Sequence, residues 1–132
     1  MQLDKLIEEW LVLGLQDLNS AKFLMDMKPI PLEIVGFHCQ QAVEKYLKAF
    51  LIKHNIEPDK THDLLFLLNQ CKKYDEKFIT LTKTCAQLIE YAVKICYPYP
   101  GSLDIAVIQH AVHLADEAIS FVKTRLVDSH QG

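Results

Sequence analysis

Apolar residues recur at three- and four-residue steps along most of the chain, which is the spacing of amphipathic helices rather than of strands. Proline-containing breaks at 28–31, 55–60 and 97–101 interrupt this pattern, because proline ends helices and biases the preceding residue away from helical geometry. A weaker break lies at 74–78. The pattern therefore predicts five helices, over residues 3–27, 32–54, 61–74, 79–95 and 103–127.

The helix boundaries and apolar faces define the expected architecture. Pro31 suits a helix start, and Thr61 is the expected N-cap of the third helix. The fifth helix has two adjacent apolar stripes and a narrow polar face, which is typical of a central bundle helix or of one that contacts a second subunit. We therefore expect a single all-α domain over residues 1–132, an up-and-down antiparallel bundle of four to five helices, with the last few residues frayed.

Composition narrows the class of protein. With 132 residues, 50% of them hydrophobic and only 4 Gly, the chain has the makeup of a folded domain. Its 14 basic and 17 acidic residues give a net charge of −3, which disfavours a sequence-blind nucleic-acid binder; Arg125 is the only arginine. No uninterrupted apolar run reaches about 18 residues, and the first residues lack a signal-peptide pattern. We expect a cytoplasmic protein with no membrane partner.

Cysteine and histidine are the metal-ligand candidates. The cysteines are Cys39, Cys71, Cys85 and Cys96. They are widely spaced without a CxxC pair, so we expect reduced thiols, some of them within apolar helix faces. His110 and His113 share a helix face, but two ligands do not define a closed site, and Asp116 or Glu117 can hydrogen-bond them. We expect no metal and no cofactor.

The second helix carries a polar ridge beside its apolar stripe. Glu44 precedes Lys48 by four residues, which is the favoured orientation for an ion pair on a helix. The third helix follows a short loop, and the free backbone N–H groups at its start favour an anion. The ridge is therefore either an ordinary solvated face or a phosphate site. Its candidate residues are Gln41, Glu44, Lys45, Lys48, Thr61, His62 and Asp63.

Four blocks of the sequence resemble the HEPN domain family. The pattern Trp-x3-Gly-x2-Asp-Leu-x2-Ala from Trp10 to Ala21 is similar to the family's first helix, where alanine is common in place of Gly14. Residues 40–49 resemble the family's Gln-Gln-Ala-x-Glu-Lys-x-Leu-Lys-Ala signature. The run Thr-His-Asp-Leu at 61–64 is a family motif, and 91–98 resembles its Tyr-x4-Arg-Tyr-Pro.

The resemblance implies a dimeric all-α bundle that pairs with a minimal nucleotidyltransferase, often as a toxin–antitoxin module. Many members are metal-independent ribonucleases in which an arginine stabilises the phosphoryl charge and a nearby histidine moves protons. Here Cys96 stands at the arginine position, and 101–103 contain no histidine. Cysteine lacks the permanent charge and the bidentate donors of arginine. The pair of Arg125 and His130 has the family's spacing but lies in the wrong part of the sequence pattern, so the ribonuclease motif is degenerate.

Three functional hypotheses follow. The first is a HEPN-type binding module, a homodimer that binds a minimal nucleotidyltransferase, a nucleotide or RNA. The polar ridge, together with Tyr97, would supply its nucleotide or phosphate contacts. The second is a metal-independent ribonuclease with a variant site, in which His62 transfers the proton; no other catalytic residue is assigned. The third is a purely structural helical adaptor.

Overall fold

The computed structural model describes residues 2–96 and 104–128, and within these ranges the chain is all-α, as predicted. The helices are α1 (Gln2–Leu24), α2 (Leu32–Lys53), α3 (Leu64–Lys72), α4 (Thr82–Cys96) and α5 (Ile105–Asp128), with a 3-10 helix (Glu76–Leu81) between α3 and α4. No strand occurs in the described ranges. The third and fourth helices thus begin a few residues later than predicted.

The proline break places the start of α2 as expected. The carbonyl of Pro31 accepts hydrogen bonds from the amides of Ile34 and Val35 at 3.0 Å, so proline stands where a helix needs no N–H donor. At the other end the chain leaves the helix through Asn55, whose φ of 63° lies in the left-handed region that asparagine tolerates.

The start of α3 corrects one prediction. Thr61 is not the N-cap; the carboxylate of Asp63 accepts from the amides of Leu65 at 3.0 Å and Phe66 at 3.2 Å. Thr61 supports this turn instead, since its hydroxyl accepts from the amide of Asp63 at 3.1 Å. Aspartate caps well and adds a negative charge at the positive end of the helix dipole.

Helix α2, rather than the fifth helix, occupies the centre of the bundle. It packs against α1, α3, α4 and α5, and most of its residues are buried. The predicted apolar stripe of α2 is entirely buried; it comprises Val35, Cys39, Ala42, Tyr46 and Phe50. Because α2 has neighbours on nearly every side, polar residues on its ridge can also become buried.

The long helices do not all alternate in direction with their neighbours. Asp17 of α1 contacts His38 near the start of α2, so these two helices are antiparallel. In contrast, Lys53 at the end of α2 donates to the carbonyl of Leu126 near the end of α5. Helices α2 and α5 therefore run side by side in the same direction, as the up-and-down chain order of the long helices α1, α2, α4 and α5 requires.

Helix α5 is long and apolar enough to cross a membrane by length and composition, the single such helix in the described ranges. Core helices of soluble bundles meet the same criterion, so the finding does not by itself indicate a membrane span. One face of α5 is buried in the bundle core, including Ile108, Ala115 and Val122.

Candidate functional site

The first part of the site joins α1 to α2 through Asp17, which is buried. Its carboxylate accepts from Lys45 Nζ at 2.5 Å and from His38 Nδ1 at 2.9 Å. Positions 38 and 45 are two helical turns apart and so share one face of α2. The two pairings hold α1 and α2 together across a polar contact within an apolar interface.

The second part joins α2 to the loop before α3 through Glu44. Its Oε2 accepts from Lys48 Nζ at 3.0 Å, which confirms the predicted ion pair four residues apart. Its Oε1 accepts from His62 Nδ1 at 2.9 Å and from Gln41 Nε2 at 3.4 Å. Glu44 and Lys48 are both buried, whereas the imidazole of His62 is 78% exposed.

These contacts form what we call the polar network. Its members are Asp17, His38, Glu44, Lys45, Lys48 and His62. The network contains two lysines and two carboxylates, so their formal charges cancel. Buried ion pairs are costly to desolvate and tolerate the loss of one partner poorly. Both lysines predicted to hold phosphate are thus already paired with carboxylates, and the negative charge of these carboxylates opposes an incoming anion.

The start of α3 also has its donors occupied. The carboxylate of Asp63 already accepts from two of the first amides, the groups that the sequence-based hypothesis assigned to phosphate. The carbonyl of His62 accepts from Gln40 Nε2 at 3.5 Å, which ties this turn to α2. The structure therefore brings the predicted ridge residues together with the Thr61-His62-Asp63 turn, but mainly as partners of one another.

The remaining predicted residues lie elsewhere. Tyr97 falls outside the described residues, and Cys96 is the last residue of α4. His113 bonds Glu117 at 3.0 Å, as the sequence suggested. His110 Nδ1 lies 2.7 Å from the hydroxyl of Tyr91. In the described ranges no group of three or more histidine, cysteine or acidic side chains is placed to hold a metal.

Burial sets the chemistry of the hydroxyl and thiol groups. Burial, with a smaller effect from Glu90, raises the pKa of Tyr91, so its neutral O–H can donate to His110. Burial also raises the pKa of Cys39 and of Cys85 to about 12 and raises that of Cys71. These three thiols are therefore protonated at neutral pH and are poor nucleophiles.

Exposed apolar side chains form a shallow groove on the outer side of α1, which we call the α1 groove. The exposed Val12, Leu15 and Phe23 line it with the partly buried Leu24. The polar residues in its lining are Gln16, Asn19, Ser20 and His38 of the polar network. Phe37 continues this surface, since its ring lies edge-on to His38 at a centroid distance of 5.7 Å. Val12, Leu15 and Phe23 fall outside the apolar stripe of the first helix that faces the core. Apolar residues in such positions were the sequence signal for the groove.

The fold and this site define an all-α helical module in which a polar network ties the first two helices together. A family model described as HEPN domain matches residues 7–125, which is most of the chain. The chain therefore belongs to the HEPN domain family, as the sequence motifs indicated. Comparisons with curated proteins and with solved structures give no significant match.

Proposed function

We propose that this HEPN module functions by binding protein partners, as a homodimer that associates with a minimal nucleotidyltransferase in a toxin–antitoxin-like system. The observation that carries the proposal is the α1 groove. Phe23 is 77% exposed and Val12 is 59% exposed, both beside the half-buried His38. Contiguous exposed apolar side chains bordered by polar residues are characteristic of protein interaction surfaces.

The magnitude of the apolar surface supports this role. Full burial of a phenylalanine or valine side chain contributes roughly 1.5–3 kcal/mol. Phe23, Val12 and Phe37 together offer several kilocalories per mole that folding of the single chain leaves unused. A partner that covers the groove would also meet His38, which can hydrogen-bond through the ring nitrogen that does not contact Asp17.

The position of the only arginine argues against the family's ribonuclease mechanism. Arg125 Nε donates to Asp75 Oδ2 at 2.5 Å, so its guanidinium holds α5 to the turn after α3. Residue 110, which contacts Tyr91 of α4, is fifteen residues earlier on α5, or roughly 22 Å along the helix. The guanidinium is therefore far from the end of α4, where Cys96 occupies the family's arginine position.

Co-expression with the adjacent open reading frame, followed by pull-down and measurement of the oligomeric state, tests this proposal. We expect Phe23→Ser to weaken partner capture or dimerisation at least tenfold. Ile79→Ser is the matched control, since Ile79 is 62% exposed but lies on the 3-10 helix between α3 and α4. Equal retention of partner and dimer by both variants would contradict the proposal.

A variant ribonuclease is the second candidate, and the His62–Glu44 pair favours it. The buried Glu44 holds His62 Nδ1 and so orients an exposed imidazole whose Nε2 has no bonding partner among the described residues. A carboxylate that orients a histidine in this way is a common arrangement for general acid–base catalysis. RNA cleavage that is lost in His62→Ala and kept in His113→Ala would support this candidate, whereas equal cleavage by both would refute it.

Nucleotide binding is a separable part of the proposal, and the exposed His62 is its best contact. Calorimetric titration of ATP into the parent protein and into His62→Ala tests it without disturbing the buried lysines. Heat in the parent that is reduced in the variant supports a nucleotide site, and no heat in the parent rejects it. We also propose a cytoplasmic location, where reduced cysteines such as Cys39 and Cys85 are typical.

A further inference from the structure

A cleft on the other side of the polar network contains the only tryptophan of the chain, and we call it the Trp10 cleft. It lies between the first half of α1, the end of α2 and the loop that follows, with a volume of about 590 Å³. This volume is within the usual range for small-molecule sites. The apolar walls are Leu6, Trp10, Ile52, Ile56 and Pro58.

The lining also contains polar and charged residues, and of these Lys48 is the buried one. Lys48 lines the cleft, is only 7% exposed, and places Nζ 5.7 Å from the centroid of the Trp10 ring. An ammonium group has three N–H donors, and within the described residues Lys48 donates one of them, to Glu44 Oε2. The cleft therefore combines an aromatic surface with unused donors in a partly dry environment, where a hydrogen bond is stronger than in water.

The charges around the cleft limit the kind of ligand. Lys48 and Lys60 are opposed by Glu57 and Asp59 in the lining, and Glu44 adds a further carboxylate directly on Lys48. The local balance is slightly negative, so a polyanion such as a triphosphate would be repelled. A neutral or singly charged ligand avoids this repulsion and can still accept a hydrogen bond from Lys48.

We propose that the Trp10 cleft binds a planar aromatic molecule that carries a carbonyl oxygen, with its ring against Trp10 and its oxygen accepting from Lys48. Aromatic rings pack favourably in offset or edge-on arrangements, and Trp10 offers the largest aromatic surface in the chain. The oxygen supplies the acceptor that Lys48 lacks on its cleft side. This site is separate from the α1 groove and does not depend on the proposed partner-binding function.

The single tryptophan provides the readout, because the chain has one indole N–H signal in heteronuclear NMR spectra. The probes are indanone and indane, which share one fused-ring framework and differ only in the carbonyl group of indanone. We expect indanone to shift the Trp10 indole signal saturably, with a Kd on the order of 1 mM for a ligand of about ten non-hydrogen atoms. Indane should bind about tenfold more weakly, because it offers no acceptor to the Lys48 donors on the cleft side.

Two variants keep the test independent of folding defects. Leu6→Glu places a charge in the cleft wall and should abolish the shift, whereas Leu13→Glu should not, since Leu13 lies on the same helix with similar exposure (47% against 42%) but outside the cleft. In Glu44→Gln/Lys48→Met, where no buried charge is left unpaired, the preference for indanone over indane should vanish.

The proposal is overturned if the indole signal of the folded parent shows no saturable shift with indanone. It is also overturned if Leu6→Glu binds as well as Leu13→Glu, since the ligand would then lie elsewhere. Equal affinities of the parent for indanone and indane would reject the carbonyl part of the ligand class. A saturable shift with the expected pattern in both variants supports the site.

Discussion

Replacement of Gly14 by alanine tests how closely α1 and α2 pack. A Cβ atom at this position would lie 2.7 Å from Cδ1 and 2.9 Å from Cε1 of Tyr46, and 3.3 Å from the carbonyl oxygen of Ala42. Favourable carbon–carbon contacts lie at about 3.5–4.0 Å. The Tyr46 ring is fully buried and the Ala42 carbonyl belongs to the α2 backbone, so relief requires the two helices to separate.

Two opposing effects set the size of the change. Alanine is favoured over glycine inside a helix by about 1 kcal/mol. Overpacking of a close interface costs about 1–3 kcal/mol, and two contacts below 3.0 Å against a buried ring place Gly14 at the upper end. We therefore expect Gly14→Ala to lower the free energy of unfolding by about 2 kcal/mol.

Urea unfolding followed by circular dichroism measures this change, with the slope of the transition expected to stay constant. Tyr46→Val provides the matched background, because it removes the ring atoms that the new Cβ would meet. There only the 3.3 Å contact with the Ala42 carbonyl oxygen remains to offset the helix preference of alanine. Gly14→Ala should then be close to neutral, so the coupling between the two positions is about 2 kcal/mol. Stabilisation of the parent protein by Gly14→Ala would refute the close approach of the two helices.

Three further predictions follow from buried polar groups. Asp17→Ala should lower the free energy of unfolding by about 3 kcal/mol, because it leaves Lys45 unpaired. Asp116→Ala is the control and breaks an exposed pair with Lys22. It should lower the free energy of unfolding by less than about 1 kcal/mol in the same urea assay. Burial and the nearby Lys53 lower the pKa of His54, partly offset by Asp75, and its Nε2 is buried without a partner in the described ranges. The unfolded chain then takes up this proton first, so stability should fall as the pH drops below about 6.5, and less steeply in His54→Phe. The three thiols with raised pKa should resist iodoacetamide in the native protein at neutral pH and react on unfolding, as peptide mass spectrometry would show; modification of the native thiols would contradict their burial.

Local patterns accounted for most of the helical architecture. Pro31 and the apolar spacing after it predicted α2 almost to the residue, because both act within a few residues along the chain. The start of α3 was misplaced because Thr61 and Asp63 are both good caps, and the sequence alone does not say which one has the required extended backbone. The parallel course of α2 and α5 agrees with the predicted up-and-down order, in which the second and fourth of four long helices share a direction.

The candidate site shows the same division between local and distant information. The Glu44–Lys48 pair was predictable, because its two residues are neighbours on one helix. The partners Asp17 and His62 come from other parts of the chain, and they turn an apparent surface ridge into a buried, charge-balanced network. The available signal for this burial was the position of Asp17 within the apolar pattern of the first helix.

By itself, the sequence determined the helical class, the family and the loss of the arginine at position 96, since these depend on residue identity and local spacing. Tertiary structure decided what the charged residues do. Lys45 and Lys48 pair with carboxylates, and Arg125 bonds Asp75 in the turn after α3. The physical reason is that the interaction energy of a charged group depends on its partners and on its exclusion from water. Both are set by the packing of helices that lie far apart in the sequence.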